Sequence, residues 1–246
     1  MLTRRRIVAS GAGLLVAGCT IIPEGQRAAF GFRSIESVVG GRVGVAALDT
    51  GTGVAIGYRH GERFAMASTF KWLLAAGILK HAQHGMSLED EMVFNRDDLL
   101  SHSPVCETRI DPETGIGRMS VKDLCEAAVT VSDNCAANLL LVPMMGPPGL
   151  TRFFRQARDS VTRLDHNEPS LNENAPGDER DTTTPEAMAK TMARLLTTDD
   201  VSRADAGSVA RMAASVHDRA GPAACRSARR VECRRQDGHG RQWRTQ

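Results

Sequence analysis

No apolar run in this 246-residue chain is long enough to cross a bilayer as a mature helix, which excludes a transmembrane segment. Internal repeats are lacking too, so the 41% hydrophobic content has one core, or two intimate ones, to fill. The six cysteines lack a framework. Cys19 lies in a signal-like N-terminal stretch, and Cys225 and Cys233 lie in an atypical tail, leaving the odd set Cys106, Cys125 and Cys135. With no His-rich ligand spacing beside them, these three are expected to be buried or isolated thiols rather than metal ligands. A basic body is missing as well. Net charge is +2, but residues 216–246 carry eight Arg against Asp218, Glu232 and Asp237, so residues 1–215 sum to −3. An acidic body makes nucleic acid a poor general partner.

What is present begins with MLTRRRIVASGAGLLVAGC, a basic start, a short apolar run and small residues before a cysteine. It predicts export, with residues 1–18 as the signal peptide. VAGC resembles a lipoprotein cleavage box, which makes Cys19 a lipidated membrane anchor, and TRRRIV resembles a twin-arginine signal. The expected product is periplasmic, membrane-anchored or secreted.

Residues 27–39 predict a first helix, with Phe30, Ile35 and Val38 among polar neighbours. Residues 41–66 predict two strands around the turn DTGTG. Helical patterns follow at residues 68–85, closed by Gly85, then at 120–131, 135–145 and 184–198, the last opened by Pro185. Residues 163–185 are polar and too long for an ordinary connection, which points to a functional loop.

Three short motifs carry chemistry. STFK sets Ser68 and Lys71 three residues apart on one helix face, within reach of a shared proton. A serine hydroxyl needs an adjacent base, and a lysine of lowered pKa can be one. Alone, Ser-x-x-Lys is more often a solvated face or a cap. SDN places Ser132 where it can relay a proton to a leaving nitrogen, and Asn134 where it can hold an amide; alone, the same residues read as an N-cap. EPSLN puts Glu168 and Asn172 in the long loop, where together they can position and deprotonate a water. Alone, such a Glu is solvated charge.

In this order, supported by HSPVCE at 102–107 and PGDERDTTTP at 176–185, the motifs resemble the class A serine β-lactamases from about residue 30 to 215. The resemblance implies a two-part α/β (α+β) fold, a helical domain holding Ser68 and Ser132 plus an antiparallel sheet domain built from both chain ends. It implies hydrolysis of the β-lactam amide through a Ser68 acyl-enzyme by a monomer that needs no cofactor. Lys71, or Glu168 through a water, is the acylation base; Glu168 and Asn172 hold the deacylating water; Ser132 protonates the leaving nitrogen; Asn134 holds the substrate's side-chain amide. A penicillin-binding protein, which is acylated without turnover, is the alternative. Such proteins share the first two motifs but lack the deacylating loop, so Glu168 favours the hydrolase.

Departures from the family pattern are specific. His166 stands where the family usually has an Arg that pairs with Asp181, and a histidine is charged only at lower pH, which predicts a looser loop near neutral pH. Ala75 replaces the cysteine that in many relatives bridges to the position of Cys125. His102 sits at a position often aromatic at the pocket mouth, as an exposed loop residue or a substrate contact.

The Lys-Thr-Gly strand that supplies the carboxylate's cation and an oxyanion donor is missing from residues 186–246. Read one nucleotide later, codons for RRQDGHG at 234–240 give Gly-Asp-Lys-Thr-Gly-Thr-Gly, and the agreement extends over about thirty positions. Residues 216–246, which contain no Lys, Leu, Ile or Phe, are therefore read as an out-of-frame tail that leaves the sheet incomplete. The literal chain is expected to be an inactive or aggregated remnant, and the frame-restored protein to hydrolyse penicillins. An Arg-rich arm for nucleic acid or anionic lipid is the other reading.

Overall fold

The computed structural model describes residues 24–197; the export segment with Cys19, and the Arg-rich tail with Cys225 and Cys233, lie outside them. By its contacts the chain divides into two units, residues 1–43 and 44–246. In the first, α1 (Glu24–Val39) covers the predicted 27–39 helix. Gly40 closes it in the left-handed region at φ 75°, donating its N–H to Glu36 O at 3.0 Å.

The second unit opens with the expected hairpin, β1 (Val45–Leu48) against β2 (Ala55–Tyr58), antiparallel from Val45↔Tyr58 to Leu48↔Ala55. Asp49 builds the turn, accepting from Gly51 N at 2.8 Å and Thr52 Oγ1 at 2.7 Å. A two-residue β3 (Phe64–Ala65) pairs antiparallel with β6 (Thr182–Thr183), Phe64 opposite Thr183. This short ladder brings residues more than a hundred positions apart to the edge of the site.

At the centre of the core lies α2 (Phe70–Ala82). Phe70, Leu73, Leu74, Ala75, Ile78 and Leu79 are all buried, so the helix is apolar on every side, as a helix enclosed by others must be. Against it pack α3 (Val121–Thr130), α4 (Asn134–Leu141) and α5 (Gly146–Gln156). Each Leu or Phe withdrawn from water there contributes about 1.5–3 kcal/mol. Ser120 caps α3 by accepting from Asp123 N at 3.1 Å. The last described helix, α6 (Pro185–Thr197), packs against β1.

One hairpin and one helix stand out among the elements not expected from the sequence. The hairpin β4 (Glu91–Asn95) and β5 (Ile116–Ser120) has only weak alternation, and its tight pairing rests on Gly117, where any Cβ would come within 2.5 Å of the Phe94 ring. The α5 sequence starts Gly-Pro-Pro-Gly and so reads as a turn, yet prolines are tolerated in a first helical turn and Leu150, Phe153 and Phe154 form its buried stripe. Gly149 is obligatory, since a Cβ there would lie 1.6 Å from Met144 O. Among the described residues no helix is long and apolar enough to cross a membrane.

Candidate active site

The site is assembled around the start of α2. Directly after β3, Met66 donates its N–H to Asp181 O at 2.9 Å, tying the chain before Ser68 to the end of the long loop. Residues 67–69 form a 3₁₀ turn that runs into α2, which exposes Ser68 and carries Lys71 inward to 1% exposure.

Around the Lys71 ammonium stand five oxygens from three separate motifs. Ser68 Oγ lies at 3.2 Å, Ser132 O at 2.8 Å, Ser132 Oγ at 3.0 Å, Asn134 Oδ1 at 2.5 Å and Glu168 Oε1 at 3.0 Å. An ammonium has three protons, so it cannot donate to all five at once, and the serine hydroxyls are placed to exchange protons with the nitrogen. Burial pulls the Lys71 pKa below its ordinary value of 10.5, while the Glu168 carboxylate and the more distant Asp133 push it back up.

Glu168 is itself buried at 4% exposure, and Asn172 Nδ2 donates to its Oε2 at 2.8 Å. Its backbone is clamped by a residue the motifs did not reveal. Asn138 on α4 accepts Glu168 N–H at 2.9 Å and donates to Glu168 O at 2.9 Å. The available signal is the spacing, because Asn138 follows Asn134 by one helical turn and shares its face.

The SDN segment holds both readings. Asp133 is a true N-cap, fully buried, accepting from Ala136 N at 2.9 Å; its other oxygen accepts Val105 N at 2.9 Å and Cys106 N at 3.0 Å. Ser132 and Asn134 are thereby turned toward Lys71. His102 is exposed; its Nε2 lies 2.9 Å from Val131 O and its carbonyl accepts Asn134 N–H at 2.8 Å, so the residue braces this turn.

At the loop base, Asp181 Oδ1 accepts the N–H groups of Asp165 at 2.7 Å and His166 at 3.0 Å, and Oδ2 meets His166 Nδ1 at 2.6 Å. His166 thus occupies the pairing position foreseen for it. Asp165 is held below the ordinary carboxylate pKa, first by its bidentate bond from Arg163. Of six non-glycines at positive φ among the described residues, Ala67 at 42°, Ser132 at 60° and Asp181 at 55° lie where the motifs meet, each costing about 1–3 kcal/mol.

Ala75 and Cys125 are both fully buried, and Cys125 is a free thiol that burial pushes up to about 12. Among the described residues no group of three or more His, Cys, Asp or Glu is arranged to hold a metal.

Residues 32–221 match the model of the β-lactamase enzyme family. β-Lactamase L2 of Stenotrophomonas maltophilia is 49% identical over 170 residues, 69% of this chain and 54% of that protein. β-Lactamase FAR-1 of Nocardia farcinica is 46% identical over 169 residues, 68% of this chain and 52% of its own. This chain therefore spans about half the length of the curated relatives it matches. An ancestral class A β-lactamase superposes with a TM-score of 0.71 at 48% identity, over 75% of this chain and 69% of that one. A β-lactamase from Xanthomonas campestris gives 0.71 at 42%, over 76% and 67%.

Proposed function

Because this chain belongs to the β-lactamase enzyme family, we propose that it is a class A serine β-lactamase that opens the β-lactam amide of penicillin-type antibiotics through an acyl-enzyme on Ser68. One observation carries the reading: a single buried nitrogen, Lys71 Nζ, touches Ser68, Ser132, Asn134 and Glu168.

Ser68 Oγ attacks the β-lactam carbonyl carbon as its proton passes to the base. Lys71 fits that role best, since its Nζ is the group in direct contact with Ser68 Oγ and its pKa is lowered by burial. The C–N bond then breaks and Ser132 Oγ gives its proton to the nitrogen, recovering one from Lys71 at 3.0 Å. In deacylation the Glu168 carboxylate, aligned by Asn172 and Asn138, takes a proton from the attacking water and Ser68 leaves with a proton. Asn134 and the exposed His102 line the substrate side. A buried, aligned Glu168 favours turnover over a protein that stays acylated.

The same reading includes an export signal at residues 1–18, lipidation of Cys19 and a monomeric product. It also takes residues 216–246 as a Lys-Thr-Gly strand displaced by one nucleotide. Expression of the protein with that frame restored tests it. We expect turnover of a chromogenic cephalosporin that vanishes in Ser68→Ala; turnover that survives the substitution contradicts the mechanism.

A further inference from the structure

We infer that Cys106 and Cys135 form a disulfide that pins the loop at residues 102–107 to the turn carrying Ser132 and Asn134. This modification goes beyond the proposed reaction and stands whatever the site does.

Four hydrogen bonds lay the two segments side by side. Asn134 N–H donates to His102 O at 2.8 Å, Cys135 N–H to Ser103 Oγ at 3.2 Å, and the N–H groups of Val105 and Cys106 to Asp133 Oδ2 at 2.9 and 3.0 Å. The Asp133 carboxylate thus fixes the backbone of Cys106, and the Ser103 hydroxyl that of Cys135, two residues beyond Asp133. Both thiols are buried, at 0% and 1% exposure. In the structure both are free thiols; the Cys135 thiol is the first influence on Cys106, ahead of burial and the Asp133 carboxylate, and all three raise its pKa. Cys125 has no such neighbour, its thiol being shifted by burial alone. Among the described cysteines, the hydrogen bonds that lay these two segments together bring Cys106 and Cys135 to neighbouring positions.

The co-reactant is a disulfide, of a small thiol or of a protein. One cysteine thiolate attacks its sulfur and expels a thiolate; the second attacks the resulting mixed disulfide and expels the other. The protein pair loses two electrons and its two thiol protons, and the co-reactant is reduced to two thiols. Once folded, Cys106 is a poor nucleophile, because its raised pKa leaves little thiolate. Oxidation therefore belongs to the folding chain, before the thiols are buried. The bridge closes a 30-residue loop that begins at Cys106 and ends at Cys135, enough to restrict the unfolded chain appreciably.

The test refolds the frame-restored protein from denaturant in mixed reduced and oxidised glutathione, blocks remaining thiols by alkylation, and maps tryptic peptides by mass spectrometry. We expect peptide 97–109 bridged to peptide 123–152, with fragmentation assigning the bond to Cys135 and leaving Cys125 alkylated. Reduction should abolish the pair and lower the thermal midpoint by about 5 °C or more. Cys106 recovered alkylated, or bridged to Cys125 or any other cysteine, overturns the inference.

Discussion

Lys71 Nζ stands 3.0 Å from Glu168 Oε1 with both side chains almost wholly withdrawn from water. This ion pair joins the helix that begins beside Ser68 to the long loop that carries Glu168. Such a pair is costly to bury, and removing one partner strands the other, at a cost of about 3–5 kcal/mol. The two ends of the proposed reaction are therefore coupled, and a change at either residue is felt at both.

Glu168→Gln keeps the shape and removes the base. Deacylation should fall about 10²–10⁴-fold, with acylation largely retained, so that the acyl-enzyme accumulates. Stopped-flow acylation rates and intact-protein mass spectra check this. Loss of acylation without accumulation would assign Glu168 to the first step instead.

The same variant shifts a pH profile in a defined direction. Acylation through neutral Lys71 rises with pH, through a pKa below 10.5 because burial lowers it. The Glu168 charge raises that pKa, so Glu168→Gln should move the rising limb to lower pH. Stability follows the same sign. The unfolded state holds the Lys71 proton to higher pH than the folded state, so the burial penalty is full at low pH and is relieved as pH rises from the folded pKa toward 10.5. A limb that moves upward in the variant contradicts the assignment.

His166→Arg restores a cation that is charged at every pH opposite the buried Asp181 carboxylate. It should tighten the loop that carries Glu168 and raise the deacylation rate near neutral pH. Equal deacylation rates for the two proteins would remove the idea.

The motif residues were legible in the sequence because chemistry restricts them to few residue types at fixed spacings. Ser68, Lys71, Ser132, Asn134, Glu168 and Asn172 converge on one cluster, and the first hairpin, α2, α3, α4 and α6 fall where apolar periodicity put them. The supports were not legible. Asn138 acts by pairing with the backbone of a residue thirty positions away, and its one-turn spacing from Asn134 does not reveal that partner. The β4–β5 hairpin hides behind Gly117, which contributes space rather than hydrophobicity. Cys106 and Cys135 read as unrelated thiols, since only the fold brings them together.

Asn138→Leu tests that hidden support. It leaves the Glu168 N–H and carbonyl without their partner and should cost about 1–3 kcal/mol of stability. A displaced Glu168 should lower kcat through deacylation more than it lowers the acylation rate. Unchanged thermal stability and unchanged deacylation would show that the loop is held by other contacts.

The most direct measurement follows Ser68 itself. Frame-restored protein is mixed with a penicillin, quenched within one turnover, and the peptide spanning residues 64–71 is weighed. The account predicts the mass of one opened penicillin on Ser68, transient in the wild type, persistent in Glu168→Gln and absent in Ser68→Ala. Hydrolysis with no adduct on that peptide, or an undiminished rate in Ser68→Ala, would contradict it.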